Sequence, residues 1–211
     1  MMVRMARATI RDICGEWKTR ERLMSVGETL LGQRGFEGVS LEEIANTAQQ
    51  KNKYAVQYHF GDRAGLAKAI LHTRMVAIDG RRSQALAAGV ETDLQSLLRV
   101  YLAPIADQID LDGRCSFALF LQQVAIKGRI WTDSAHPISS TTDSGTLRLF
   151  GMICAAIPAV PRDIVADRLI RLMHLPLQFF GEEGFHHPSD TSTNLSSFDD
   201  IVAMMAAALA V

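Results

Sequence analysis

An all-α fold follows from three observations on the sequence. Apolar residues recur three and four apart through nearly every patterned stretch, start and stop signals of helices punctuate those stretches, and no run alternates apolar and polar residues as a half-buried strand would. With 211 residues, 48% of them hydrophobic, the chain can bury a sizeable core in one or two domains.

In chain order, Leu23, Val26, Leu30 and Leu31 keep one helical face from about Thr19 to Arg34, and Gly35 follows where a helix-ending glycine belongs. Ser40 and Glu43 form a capping-box pattern: the serine oxygen can accept from the Glu43 N–H while the Glu43 side chain reaches back. The short helix they open carries Leu41, Ile44, Ala45 and Ala48. A second short helix is expected in the stretch KNKYAVQYHFGDRAGL, Lys51 to Leu66, broken at Gly61-Asp62. Asp62 can then cap a longer helix from Arg63 to about Leu86. Beyond residue 90 helices are expected near 93–108, 115–131, 144–157, 161–181 and 197–210. Pro161 suits a first turn, whereas Pro176 should kink its helix or end it early. Residues 133–143 and 186–196 are polar and read as loops.

Charge divides the chain. Residues 1–74 hold 12 Lys+Arg against 8 Asp+Glu, and residues 75–211 hold 10 against 15. A basic head on an acidic body suits a polyanion-binding module attached to something else. Three widely spaced cysteines, Cys14, Cys115 and Cys154, without CxxC, read as reduced thiols of a cytoplasmic protein. No signal peptide and no membrane span is expected. GxGxxG, GxxxxGK and HExxH are absent, so neither enzymatic activity nor a cofactor is expected. DQIDLDG (Asp107–Gly113) resembles a calcium loop but lacks its final carboxylate, and EEGFHH (Glu182–His187) reads as a surface loop; no metal site is expected.

The order short helix, tight turn, short helix, bracing helix is that of a helix-turn-helix. Val56 and Phe60 are four apart and face the domain, while Lys51, Tyr54, Ala55 and Tyr58 fall on the other side with Ala55 keeping that face low. Lysines suit phosphates or guanine, and tyrosines offer hydroxyls to phosphates and rings to thymine methyls. A duplex major groove wants this mixture.

The run G-F-E-G-V-S-L-E-E-I-A (Gly35–Ala45) followed by Y-H-F-G-D-R-A-G-L (Tyr58–Leu66) resembles the DNA-binding head of the tetracycline-repressor (TetR) family over roughly residues 19–75. The resemblance implies base-edge and backbone contacts from Lys53, Tyr54 and Ala55, and phosphate contacts from Gln57, Tyr58, His59 and Ser40. Arg63 stands where the family often has lysine and would grip a phosphate. Two departures are visible: Gln49 replaces the glycine usual in the turn, and the segment Ala48–Phe60 is one residue longer than the commonest version. Which of Lys51, Asn52 and Lys53 reads a base therefore stays open.

The resemblance divides the chain into an N-terminal extension (1–18), a candidate flexible arm; a helix-turn-helix head (19–75); and, joined to it by a long helix, a helical-bundle body (76–211) that binds a ligand and dimerises. Homodimer segments are 162–180 and 198–211, the second almost wholly apolar past Asp200. Candidate ligand contacts are Phe117, Phe120, Gln123, Trp131, Phe150, Met173, His174 and Gln178, a mixture that also occurs in ordinary helical cores. The function expected is a ligand-responsive regulator, a repressor released from a near-palindromic operator on double-stranded DNA by a small apolar or amphipathic molecule. The alternatives are a regulator without an inducer and a less specific architectural DNA binder.

Overall fold

The computed structural model of the chain describes residues 10–108, 115–127, 144–181 and 198–211. Every element among them is helical: α1 (Ile10–Arg34), α2 (Leu41–Thr47), α3 (Ala55–Phe60), α4 (Arg63–Ala88), α5 (Leu94–Ala106), α6 (Ser116–Lys127), α7 (Gly145–Ala156), α8 (Arg162–Leu172), α9 (His174–Gly181) and α10 (Phe198–Ala210). No described helix is long and apolar enough to cross a membrane. The chain forms two compact units, Met1–Ile70 and Leu71–Val211, with the division falling inside α4. The expected loops 133–143 and 186–196, Trp131 and the EEGFHH stretch lie outside the described residues.

In the first unit, α1 begins well before the expected Thr19, because IRDICGEW holds helix-compatible residues and no proline to stop the helix. Leu23 and Leu31 are fully buried with Phe36, Val39, Ile44, Val56 and Leu66, so α1 to α4 share one core. Gly35 ends α1 at φ 73°, as the sequence anticipates. Ser40 caps α2, its Oγ accepting from the Glu43 N–H at 3.0 Å. The other half of the capping box is not made. Arg34 takes the Glu43 carboxylate and also donates to the Gly38 carbonyl at 2.6 Å, fastening the end of α1 to α2.

The second unit packs α6 on α9, and α10 on α5 and α8. On α10, Ile201, Val202, Met205 and Leu209 are buried, the one-face spacing of a helix lying on a core. The helix expected over 161–181 is two helices. The proline ring of Pro176 would collide with the carbonyl four residues earlier, at Leu172, where α8 ends. A new helix starts at His174, so Pro176 occupies a first turn that needs no donor. Phe180 of α9 then stacks on Phe198 of α10, ring centroids 6.1 Å apart.

A polar knot ties α4, α5 and α7 together inside this unit. The Asp79 carboxylate accepts from Ser144 Oγ (2.6 Å), the Thr146 N–H (2.8 Å) and the Gly145 N–H (3.3 Å), so a side chain of α4 caps the start of α7. Burial pushes this carboxyl upward, but the hydrogen bonds from Ser144, Thr146 and Gly145 outweigh it and hold Asp79 below the ordinary value. One turn on, Arg82 is 1% exposed; its Nε donates to the Tyr101 carbonyl (3.1 Å), Nη1 to Thr146 Oγ1 (3.0 Å), and the guanidinium lies 4.1 Å from the Tyr101 ring centroid. Burial lowers its pKa, against the opposing pull of Tyr101 and Asp79. Cys115 is buried, its Sγ 3.4 Å from the Ile105 carbonyl oxygen, and Cys154 is half-buried; both are free thiols.

Candidate nucleic-acid interface

The interface is built on the turn between α2 and α3. The Gln50 N–H donates to the Ala45 carbonyl and the Gln49 N–H to the Asn46 carbonyl, both at 2.9 Å. This pair of bonds closes a helix through a Schellman motif, which needs a left-handed residue just past the cap. Gln49 is that residue, at φ 57°. The glutamine therefore takes up the strained conformation itself where glycine would take it freely.

The recognition segment is shorter as a helix than its sequence suggests. The Asn52 Oδ1 accepts from the Tyr54 N–H at 3.0 Å and its carbonyl from the Ala55 N–H at 3.0 Å, so a side-chain-stabilised turn occupies 51–54 and α3 begins only at Ala55. At 100° per residue, Ala55, Val56, His59 and Phe60 fall within one half of the helix and Gln57 and Tyr58 in the other. Burial follows that division: Val56 is fully buried, His59 and Phe60 are half-buried, and Tyr58 is 72% exposed. Ala55 is a correction. It is 5% exposed and belongs to the inner face beside Val56, so its side chain does not form the floor of the outer one. The outward row is Tyr54, Gln57 and Tyr58, three and four residues apart, with Lys51, Asn52 and Lys53 exposed in front of it. Lys53 Nζ lies 5.2 Å from the Tyr54 ring centroid, and Tyr58 meets His59 edge to face at 4.9 Å.

Three arginines hold this surface in place. Arg20 of α1 donates to the His59 carbonyl at 3.0 Å and lies 4.4 Å from the Phe60 ring centroid, fastening the end of α3. No spacing in the sequence marks that role. Arg34 holds α2, as described above. Arg63, expected at a phosphate, turns inward instead: Nη2 donates to the Val39 carbonyl at 2.7 Å and Nη1 lies 3.8 Å from Glu37. Ser40 is exposed and accepts with its oxygen, which leaves the hydroxyl proton for an external acceptor. Asp62 caps α4 through the Gly65 N–H at 2.7 Å, after Gly61 at φ 80° has turned the chain.

The chain is similar to the HTH-type transcriptional repressor NemR of Escherichia coli (strain K12), 26% identical over 142 residues that make up 67% of this chain and 68% of that one. The protein of the same description from Escherichia coli O6:H1 gives the same figures. No family model matches the chain.

Of the residues expected to contact a ligand, all but Trp131 are among the described residues. Phe117 and Phe120 are fully buried and stacked on each other at 6.2 Å, with the Arg74 guanidinium 5.7 Å from the Phe117 ring centroid. Gln123, Phe150 and Met173 are half-buried, and Arg162 covers the Phe150 ring at 4.8 Å. His174 and Gln178 are exposed, and Gln178 accepts from Gln122 at 2.7 Å. Phe117 and Phe120 meet as core residues do.

Proposed function

We infer that this chain is a sequence-specific DNA-binding transcriptional regulator, a repressor built on the TetR plan, that inserts α3 into a major groove. The observation that carries this reading is the outward row of Tyr54, Gln57 and Tyr58 behind Lys51, Asn52 and Lys53, on a helix-turn-helix whose inner face buries Ala55 and Val56. The similarity to a helix-turn-helix repressor, over two thirds of each chain, supports it independently. In this reading Lys53 and Tyr54 share the base-edge and backbone contacts, Lys53 on the backbone and Tyr54 on base edges, while Gln57, Tyr58, His59 and the Ser40 hydroxyl contact phosphates. Arg63 serves as a brace that can share its guanidinium with a phosphate.

Residues 19–75 act as the reading head and 76–211 as the body. A homodimer through 162–180 and 198–211 is favoured by apolar side chains left on α8 and α10: Ile170 is 71% exposed, Met204 49% and Ile164 40%. Two symmetric heads read an inverted repeat. A small molecule that binds the DNA-incompetent state more tightly shifts the population and releases the operator. The protein works in the cytoplasm and is not an enzyme.

The test is selection of duplexes from a random pool by the purified protein. Enrichment of an inverted repeat is expected. Weak binding without sequence preference, falling steeply with salt, would replace this reading by an architectural one.

A further inference from the structure

A groove of about 540 Å³ opens between α4 and α5 in the second unit. It exists because the side chains facing across it are short: Ala85 on α4 meets Val100, Ala103 and Pro104 on α5. Its size falls within the range of roughly 300–1,000 Å³ common for small-molecule sites. None of the candidate ligand residues named from sequence lines it.

Its rim is charged, and asymmetrically so. Arg81 and Asp107 stand at one end and Arg99 towards the other, where a second carboxylate, Asp199, reaches Arg99 from α10. Arg81 is paired with Asp107 at 3.2 Å. The end of the groove near Asp107 is therefore neutralised, and the negative pole of the α5 C-terminus adds to that. Arg99 stands eight residues earlier on α5, about 12 Å away at the helical rise of 1.5 Å per residue. It is 43% exposed and spends one nitrogen on Asp199 of α10. A guanidinium has five donors, so the remainder can hold a carboxylate.

From this juxtaposition we propose that the groove binds an apolar monocarboxylate. The carboxylate sits at Arg99, and the hydrocarbon chain runs along Ala85, Val100, Ala103 and Pro104 towards the stem of Arg81. The ligand carboxylate takes the Arg99 donors that Asp199 leaves open and competes with Asp199 for the rest, and an apolar chain of about 12 Å covers the floor. The regulatory consequence rests on the repressor reading above, because such a ligand would be its inducer; occupancy of the groove does not depend on that reading.

The experiment is calorimetric titration of the full chain with decanoate, below its micelle concentration and without DNA. One site per chain is expected. Arg99→Gln should weaken it by about tenfold or more, and decanol should bind weaker by a similar factor. Ala103→Phe, which fills the floor, should abolish binding. Asp107→Asn and Asp199→Asn each remove a competing carboxylate and should tighten it, whereas a merely structural role for these ion pairs would weaken it. No binding of decanoate, or an affinity unchanged in both Arg99→Gln and Ala103→Phe, overturns the proposal. Binding with this pattern but without loss of operator affinity keeps the groove and sinks the inducer reading alone.

Discussion

Gly65 lies so close beneath the Phe60 carbonyl oxygen that a Cβ at this position would overlap it. The contact joins the first turn of α4 to the last residue of α3, and the obstacle is backbone, which cannot swing aside as a flexible side chain can. Gly65→Ala is expected to cost at least about 2 kcal/mol by overpacking and to displace α3. Gly80, on the same helix, has nothing within 4 Å of its would-be Cβ. Gly80→Ala should stabilise by about 0.5–1 kcal/mol through helix propensity alone. Urea midpoints of the two variants should therefore move in opposite directions, and only Gly65→Ala should lose operator binding.

Gln49 carries a cost that the fold tolerates. An L-residue in the left-handed region costs about 1–2 kcal/mol, and glycine gives part of that back through the entropy of its unfolded chain. Gln49→Gly should gain about 1 kcal/mol, seen as a rise of several degrees in melting temperature. Gln49→Ala keeps the strained backbone and should gain nothing, which separates the backbone effect from loss of the side chain. An equal gain in both would show that the side chain, and not its φ of 57°, is responsible.

Local signals were legible in the sequence where the competing partners are also local. Ser40, Gly35 and Asp62 act as caps or stops because each answers to a backbone group within a few residues. Glu43 escaped the same logic because Arg34, nine residues away, outbids the Ser40 N–H for its carboxylate. Ala55 is small enough to suit either face of α3, so its type carries no information about burial; only its angular position beside Val56 does. Arg82 was invisible for a different reason. An arginine in a helix is ordinarily exposed, and nothing in its neighbours announces that the Tyr101 carbonyl and Thr146 hydroxyl will receive it. Residue type alone does not separate a ligand contact from a core position at Phe117 and Phe120, because aromatic side chains are equally the material of cores.

Asp79 gives the second unit a defined response to acid. Its folded-state pKa is held below the ordinary 3.8 by hydrogen bonds that outweigh its burial. A depressed carboxylate contributes stability that is fully present above the unfolded value and is lost as pH falls through the folded one. Asp79→Asn should cost about 1–2 kcal/mol at neutral pH, because charge-assisted bonds to the start of α7 become neutral ones. The gap from the unaltered protein should stay constant down to about pH 4 and close below 3.8. Denaturation midpoints at stepped pH measure it; a gap that persists at the lowest pH would mean that the variant's loss is one of packing and not of charge.

Lys53 and Tyr54 are adjacent, exposed and in cation–π range, yet the DNA reading gives them separable tasks. A lysine on a phosphate releases counterions, so its loss should lower the slope of log K against log salt by about one while leaving base preference intact. A ring against base edges has no such counterion signature. Tyr54→Ala should cost about 1–3 kcal/mol on the selected operator, flatten preference at one base position per half-site and leave the salt slope unchanged. Lys51→Ala, on the same exposed turn, tells whether the phosphate lies ahead of Asn52 or behind it. If Lys53→Ala flattens base preference and Tyr54→Ala leaves it intact, the two roles are exchanged and the turn meets the groove one residue out of register.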